Sequence, residues 1–68
     1  MKLTLADTVL AEIANYPELK FTNHELASRL NRRVESVRRM TRELRDAHRI
    51  VGSGPFYSGD VAVYSALV

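Results

Sequence analysis

The sequence contains no cysteine and no tryptophan, and it has only three glycines and two prolines among its 68 residues. The absence of cysteine excludes disulfides and thiolate nucleophiles, and it removes the ligand that most structural zinc sites use. So little glycine and proline argues against a fibrous or disordered chain. No apolar run approaches the roughly 20 residues of a membrane span. We therefore expect a globular, cytoplasmic protein that does not bind a membrane.

Positive charge is concentrated in one part of the chain. The net charge is only +2, but residues 25–51 hold eight of the ten basic residues and four of the eight acidic ones. A chain of this length forms one domain, residues 1–68, and buries only about 60% of its surface on folding. The clustered charge suggests a polyanionic partner for that domain.

Two capping-box motifs mark helix starts. Thr4 with Asp7, and Thr22 with Glu25, each supply a threonine and an acid three residues later, which satisfy each other's free backbone N–H groups. Apolar residues follow at helical spacing in both segments. Asparagine tolerates the left-handed conformation that ends many helices, so Asn31 predicts the end of the second helix. The expected ranges are about 5–15 and 23–30.

A third amphipathic helix is predicted over about residues 33–48, where apolar positions again recur at helical spacing. Its opposite side is expected to carry five arginines: Arg38, Arg39, Arg42, Arg45 and Arg49. The same side offers three ion pairs between residues four apart, which would make it a merely solvated face: Glu35–Arg39, Arg39–Glu43 and Arg42–Asp46. Because arginines outnumber acids there by five to three, we favour a binding surface.

Two β elements are predicted beside the helices. Leu19 and Phe21 alternate with a lysine, which suggests a brief strand or an extended connector, with both apolar side chains facing inward. After the third helix, glycine, serine and proline flank Phe56-Tyr57, and residues 61–68 alternate as a strand does. A β-hairpin is therefore expected over about residues 50–67.

The order helix, short strand, helix, turn, helix and hairpin resembles the winged helix-turn-helix family of bacterial and phage DNA-binding domains. Small, apolar and turn residues carry the resemblance: Leu26, Ala27, Leu30, Asn31, Val37 and Met40. Arg32 and His48 depart from the family pattern, which usually has an apolar residue and often a glycine at these positions. The implied fold is α+β, mainly α, with three helices and a small C-terminal β-hairpin, the wing.

The resemblance also implies a set of DNA contacts. The third helix would enter the major groove, where arginine can pair with guanine and glutamate can accept from cytosine. The implied base-reading residues are Arg33, Glu35, Ser36, Arg38 and Arg39. The implied phosphate contacts are Thr22, Asn23, Arg32, Arg42, Arg45, Tyr57 and Ser58.

The expected function is sequence-specific binding of double-stranded DNA, as a transcriptional regulator or a phage DNA-transaction accessory factor, with two copies on a repeated site. An alternative is a winged-helix module that binds an acidic protein partner without nucleic acid, because the wing contains no basic residue; RNA or ribosome binding is a weaker option. We expect no enzyme, metal, cofactor or small-molecule substrate. His24 and His48 lack metal-ligand spacing, and neither a nucleophile elbow nor a phosphate-binding glycine loop is present.

Overall fold

The computed structural model describes residues 3–54 and 62–67. Its elements in chain order are α1 (Leu5–Asn15), β1 (Phe21–Thr22), α2 (Asn23–Leu30), α3 (Val34–Asp46), β2 (Ile50–Ser53) and β3 (Val63–Ala66). The described part is a small, mainly helical α+β fold with one three-stranded antiparallel sheet. In those two ranges no helix has the length and apolarity needed to cross a membrane.

Both predicted capping boxes are present, and both helices that they begin have the predicted bounds. The Asp7 backbone N–H donates to Thr4 Oγ1 over 3.1 Å, and the Thr4 N–H donates to Asp7 Oδ2 over 3.2 Å. The Thr22–Glu25 pair makes the same reciprocal bonds, each 3.1 Å long. Each box therefore satisfies two of the backbone donors that a helix start leaves without a partner.

The end of α2 also follows the prediction. Asn31 has the left-handed conformation, with φ 55° and ψ 49°. The next backbone N–H, of Arg32, reaches back to the Ala27 carbonyl over 3.0 Å. This bond pattern is a Schellman motif, and it turns the chain sharply toward α3.

The helix α3 is shorter than predicted at both ends. Arg33 is the extended residue before the helix and makes no side-chain cap. At the other end His48 has φ 59°, and the Arg49 N–H donates to the Leu44 carbonyl over 2.9 Å. A second Schellman motif therefore ends α3, with histidine at the left-handed position where glycine is usual. The predicted end at residue 48 was wrong because the chain already reverses there.

The sheet joins a strand from the first third of the chain to two strands that follow the last helix. Its strand order is β1-β3-β2, so the last strand lies in the centre. Tyr64 of β3 faces Phe21 of β1 on one side and Gly52 of β2 on the other. The predicted hairpin pairing is confirmed, whereas its loop, residues 55–61, lies outside the described residues. The brief strand begins two residues later than predicted.

Leu19 does not face the core. Its side chain is 41% exposed, and its N–H donates to the Tyr16 carbonyl over 3.0 Å. This bond places Leu19 at the end of a turn after α1, before the sheet begins. The prediction that Leu19 faces inward was therefore wrong, whereas Phe21 is buried as predicted.

A single apolar core lies between the helices and the sheet. Each element contributes to it, and the helical residues recur at the spacing from which the helices were predicted. The buried apolar residues are Val9, Ile13, Phe21, Leu26, Ala27, Val37, Leu44, Ile50, Ala62 and Tyr64. Because α2 and α3 both bury one side in this core, their outer sides are fixed relative to each other.

We predict that His48→Gly raises the free energy of unfolding by up to about 1 kcal/mol, because a left-handed conformation strains a residue that has a Cβ atom. Urea unfolding followed by circular dichroism measures the change. Ala47→Gly is the matched control, since Ala47 has φ −84°. Glycine there should lower the free energy of unfolding by about 0.5–1 kcal/mol. Equal effects of the two substitutions would show that His48 is not strained.

Candidate functional site

The candidate surface consists of the turn between α2 and α3 and the outer side of α3. Of the five predicted base-reading residues, Arg33, Glu35 and Arg39 are exposed, whereas Ser36 and Arg38 are half-buried. The exposed three lie at the start of α3 and within its first turns. They are thus available to a partner that approaches this half of the helix.

The predicted phosphate contacts do not form one surface. Arg32 and Arg42 are exposed, and Arg45 is half-buried. Thr22 is half-buried, and its hydroxyl oxygen already accepts the Glu25 N–H as the cap of α2. Tyr57 and Ser58 lie outside the described residues.

Asn23 is placed differently from the prediction. It is completely buried, and its Oδ1 accepts a hydrogen bond from the Thr41 hydroxyl over 2.6 Å. The first residue of α2 is therefore tied to the middle of α3, inside the protein. The prediction that Asn23 contacts phosphate is wrong for this structure, because no solvent reaches its side chain.

Arg38 and Arg45 border the core instead of pointing away from it, as the helical count had suggested. Arg45 has a side-chain exposure of 24%, and it binds the neighbouring Asp46. Its Nη2 and Nε lie 2.9 and 3.2 Å from Asp46 Oδ1. The two arginines therefore flank the buried side of α3, and only Arg39 and Arg42 are fully outward within the helix.

None of the three ion pairs between residues four apart that would make α3 a merely solvated face is formed. Among the residues that the structure describes, Glu35, Arg39, Arg42 and Glu43 make no ion pair, and Asp46 binds Arg45. Holding two long side chains together in solvent gains only about 0–1 kcal/mol. The outward arginines of α3 therefore lack the carboxylate partners that a self-neutralised face would provide.

Arg29 belongs to the basic segment but acts as a structural link. Its Nε donates to Glu12 Oε2 over 2.7 Å, which joins α2 to α1. Its guanidinium also lies 4.7 Å from the Tyr16 ring centroid and 5.2 Å from that of Phe21. The hydrogen bond to Glu12 raises the pKa of Arg29 above its ordinary value. Arg29 is thus removed from the set of available cations.

Two of these contacts had no clear signal in the sequence. Thr41 stands at an apolar position of the α3 pattern. A polar residue there indicates a buried hydrogen bond, but the sequence does not indicate which residue is its partner. Glu12 and Arg29 lie 17 positions apart, and nothing in their local sequence pairs them. Both contacts depend on how the helices pack.

The described residues contain no group of three or more histidine, aspartate or glutamate side chains that is placed to hold a metal ion. Comparisons with protein-family models, curated proteins and solved structures find no match for this chain.

We predict that Thr41→Val lowers the free energy of unfolding by about 1–3 kcal/mol, because Asn23 Oδ1 loses a buried donor while the side-chain volume is kept. Thr8→Val is the matched control. Among the described residues, the Thr8 hydroxyl bonds only the carbonyl of Thr4, the N-cap of its helix, so its loss should cost less than about 0.5 kcal/mol. Urea unfolding measures both variants. Equal losses would show that the buried bond adds no stability.

We predict that Arg29→Lys lowers the melting temperature, because lysine lacks the planar guanidinium that binds Glu12 and stacks on Tyr16. Part of this loss should shrink as salt is raised, since Glu12 and Arg29 are both partly exposed and salt screens their attraction. Arg32→Lys is the control, because Arg32 is exposed and makes no ion pair with a described residue. Equal melting temperatures of the two variants would contradict the role of Arg29 as a link between α1 and α2.

Proposed function

We propose that this chain is a winged helix-turn-helix domain that binds double-stranded DNA with α3, as a transcriptional regulator or a DNA-transaction accessory factor. The order of its elements supports the proposal: helix, short strand, helix, turn, helix and two paired strands. The left-handed Asn31 and the small, buried Ala27 stand where that family's pattern has its turn residue and its small residue.

The observation that carries the proposal is a set of exposed arginines on one side of the turn and of α3. These residues form no ion pair with any residue in the described ranges: Arg32, Arg33, Arg39 and Arg42. A guanidinium without a carboxylate partner keeps its charge and its forked donors for a ligand. Phosphates and the guanine edge both fit those donors.

The dimensions of α3 suit a groove. Its 13 residues give a length of about 20 Å, and the major groove, about 12 Å wide, admits one helix. One such helix contacts only a few base pairs, which is too few to define a unique site. We therefore expect two copies on a repeated or palindromic sequence.

One observation favours a second candidate, a protein partner. Three acidic residues share the exposed side of α3 with the arginines, and they weaken its attraction to phosphate: Glu35, Glu43 and Asp46. A pulldown with and without nuclease separates the candidates. A DNA-binding protein loses its co-purifying partners on nuclease treatment, whereas a protein-binding module keeps them.

We predict that the protein binds duplex DNA with an affinity that falls steeply with salt. About five charged contacts give a slope of log affinity against log salt of roughly −4 to −5. Fluorescence anisotropy with a labelled random-sequence duplex measures it, and in-vitro selection from random duplexes tests for a preferred site. A flat salt response together with no enrichment would favour the protein partner.

The matching variant is Arg39→Gln combined with Arg42→Gln, which should reduce the affinity about tenfold or more at low salt. Both side chains are exposed, so the fold should be kept. Lys20→Gln is the control, because Lys20 is exposed in the connection before β1 and belongs neither to α3 nor to the turn before it. Unchanged binding by the double variant would remove α3 from the interface.

A further inference from the structure

The outer surface of α3 is divided lengthwise by charge. Positions 38, 42 and 45 follow the i, i+4, i+7 spacing that places residues in one row along a helix. All three positions hold arginine: Arg38, Arg42 and Arg45. Arg42 is exposed and the other two are half-buried, so the row runs along the edge where α3 meets the protein body.

The neighbouring row, which we call the mixed row, is mainly acidic. Its members all lie exposed, and three of the four are acidic: Glu35, Arg39, Glu43 and Asp46. A phosphate strand laid along this row would meet three carboxylates and one guanidinium, and like charges repel it. The row of Arg38, Arg42 and Arg45, which we call the basic row, therefore attracts a phosphate strand more strongly than this row does.

The buried hydrogen bond between Thr41 and Asn23 fixes the rotation of α3 and therefore the direction in which each row faces. Thr41 lies three residues after Arg38 and four before Arg45, so it shares their side of the helix. Its hydroxyl bonds Asn23 at the first turn of α2. The basic row thus borders the seam between α3 and the start of α2, and the mixed row lies on the far side of that row. Rotation of α3 about its axis would break this bond.

We propose that one DNA strand lies with its phosphates along Arg38, Arg42 and Arg45, while the mixed row faces the base edges. This inference rests on the proposed binding of DNA by α3. In this orientation Arg39 meets guanine and Glu35 accepts from the amino group of cytosine, so these two residues determine the sequence preference. Arg38 is then a phosphate contact and does not read bases.

The orientation also gives Asp46 a role. Asp46 Oδ1 holds the Arg45 guanidinium over 2.9 Å, so a phosphate that binds Arg45 must compete with that carboxylate. Asp46 therefore weakens binding to every DNA sequence by a similar factor. Its removal increases the affinity, and a folding defect cannot produce such an increase.

The variants Arg39→Gln and Arg42→Gln are a matched pair. They test whether the mixed row reads bases while the basic row contacts phosphates. Both residues are exposed on the same helix, and both changes remove one charge. The probes are the duplex enriched from a random pool and a scrambled duplex of equal length, each titrated over a range of salt. The readouts are the ratio of the two affinities and the salt slope.

Arg42→Gln should weaken binding to both duplexes by the same factor and reduce the salt slope by about 1. Arg39→Gln should lower the affinity ratio about tenfold, because a lost guanine contact affects only the enriched sequence. Asp46→Asn should tighten binding to both duplexes severalfold at low salt, with an unchanged ratio.

Three results overturn the inference in distinguishable ways. If the unmodified protein binds neither duplex, the proposed function is wrong, and so is the assignment of the two rows to phosphates and bases. If it binds DNA but the pool shows no enrichment, DNA binding stands and base reading by Glu35 and Arg39 is excluded. If Arg42→Gln lowers the affinity ratio as much as Arg39→Gln does, α3 lies in another orientation.

Discussion

The hydrogen bond from the Thr41 hydroxyl to Asn23 Oδ1 fixes how α2 and α3 are oriented relative to each other. Apolar side chains pack in many arrangements at similar cost, whereas a buried polar pair is satisfied at only one geometry. The bond is 2.6 Å long and completely buried, so it connects the start of α2 to the middle of α3 at one rotation of each helix. That rotation decides which arginines of α3 face solvent and which border the core.

Local rules in the sequence predicted the local structure well. Both capping boxes and the left-handed Asn31 follow from the chemistry of a few adjacent residues, and the bounds of α1 and α2 were correct as a result. Leu19 and the end of α3 were mispredicted, although both depend on local backbone bonds, because no typical residue signals them. A turn bond to Tyr16 displaces Leu19, and the reversal at His48 occurs without the glycine that would have signalled it.

The candidate surface was predictable only in outline. The concentration of arginine in residues 25–51 is visible in the sequence, but the share of it that remains available to a partner depends on side-chain contacts that the sequence does not show. Glu12 engages Arg29, Asp46 engages Arg45, and Asn23 is buried where a helix start would ordinarily be exposed. Charge counted along the chain therefore overstates the charge that a partner meets, because some of it serves the fold.

The central position of β3 has a consequence for how the protein forms. Phe21 belongs to the first third of the chain, yet it pairs with Tyr64 near the other end, and that contact requires a long loop to close. The helices can meet through nearby residues as soon as they are made, whereas β1 stays without its neighbour until the last strand has left the ribosome. The pairing of β1 with β3 therefore cannot form before β3 has been made, whereas all three helices, including the arginine-rich α3, precede β3 in the chain.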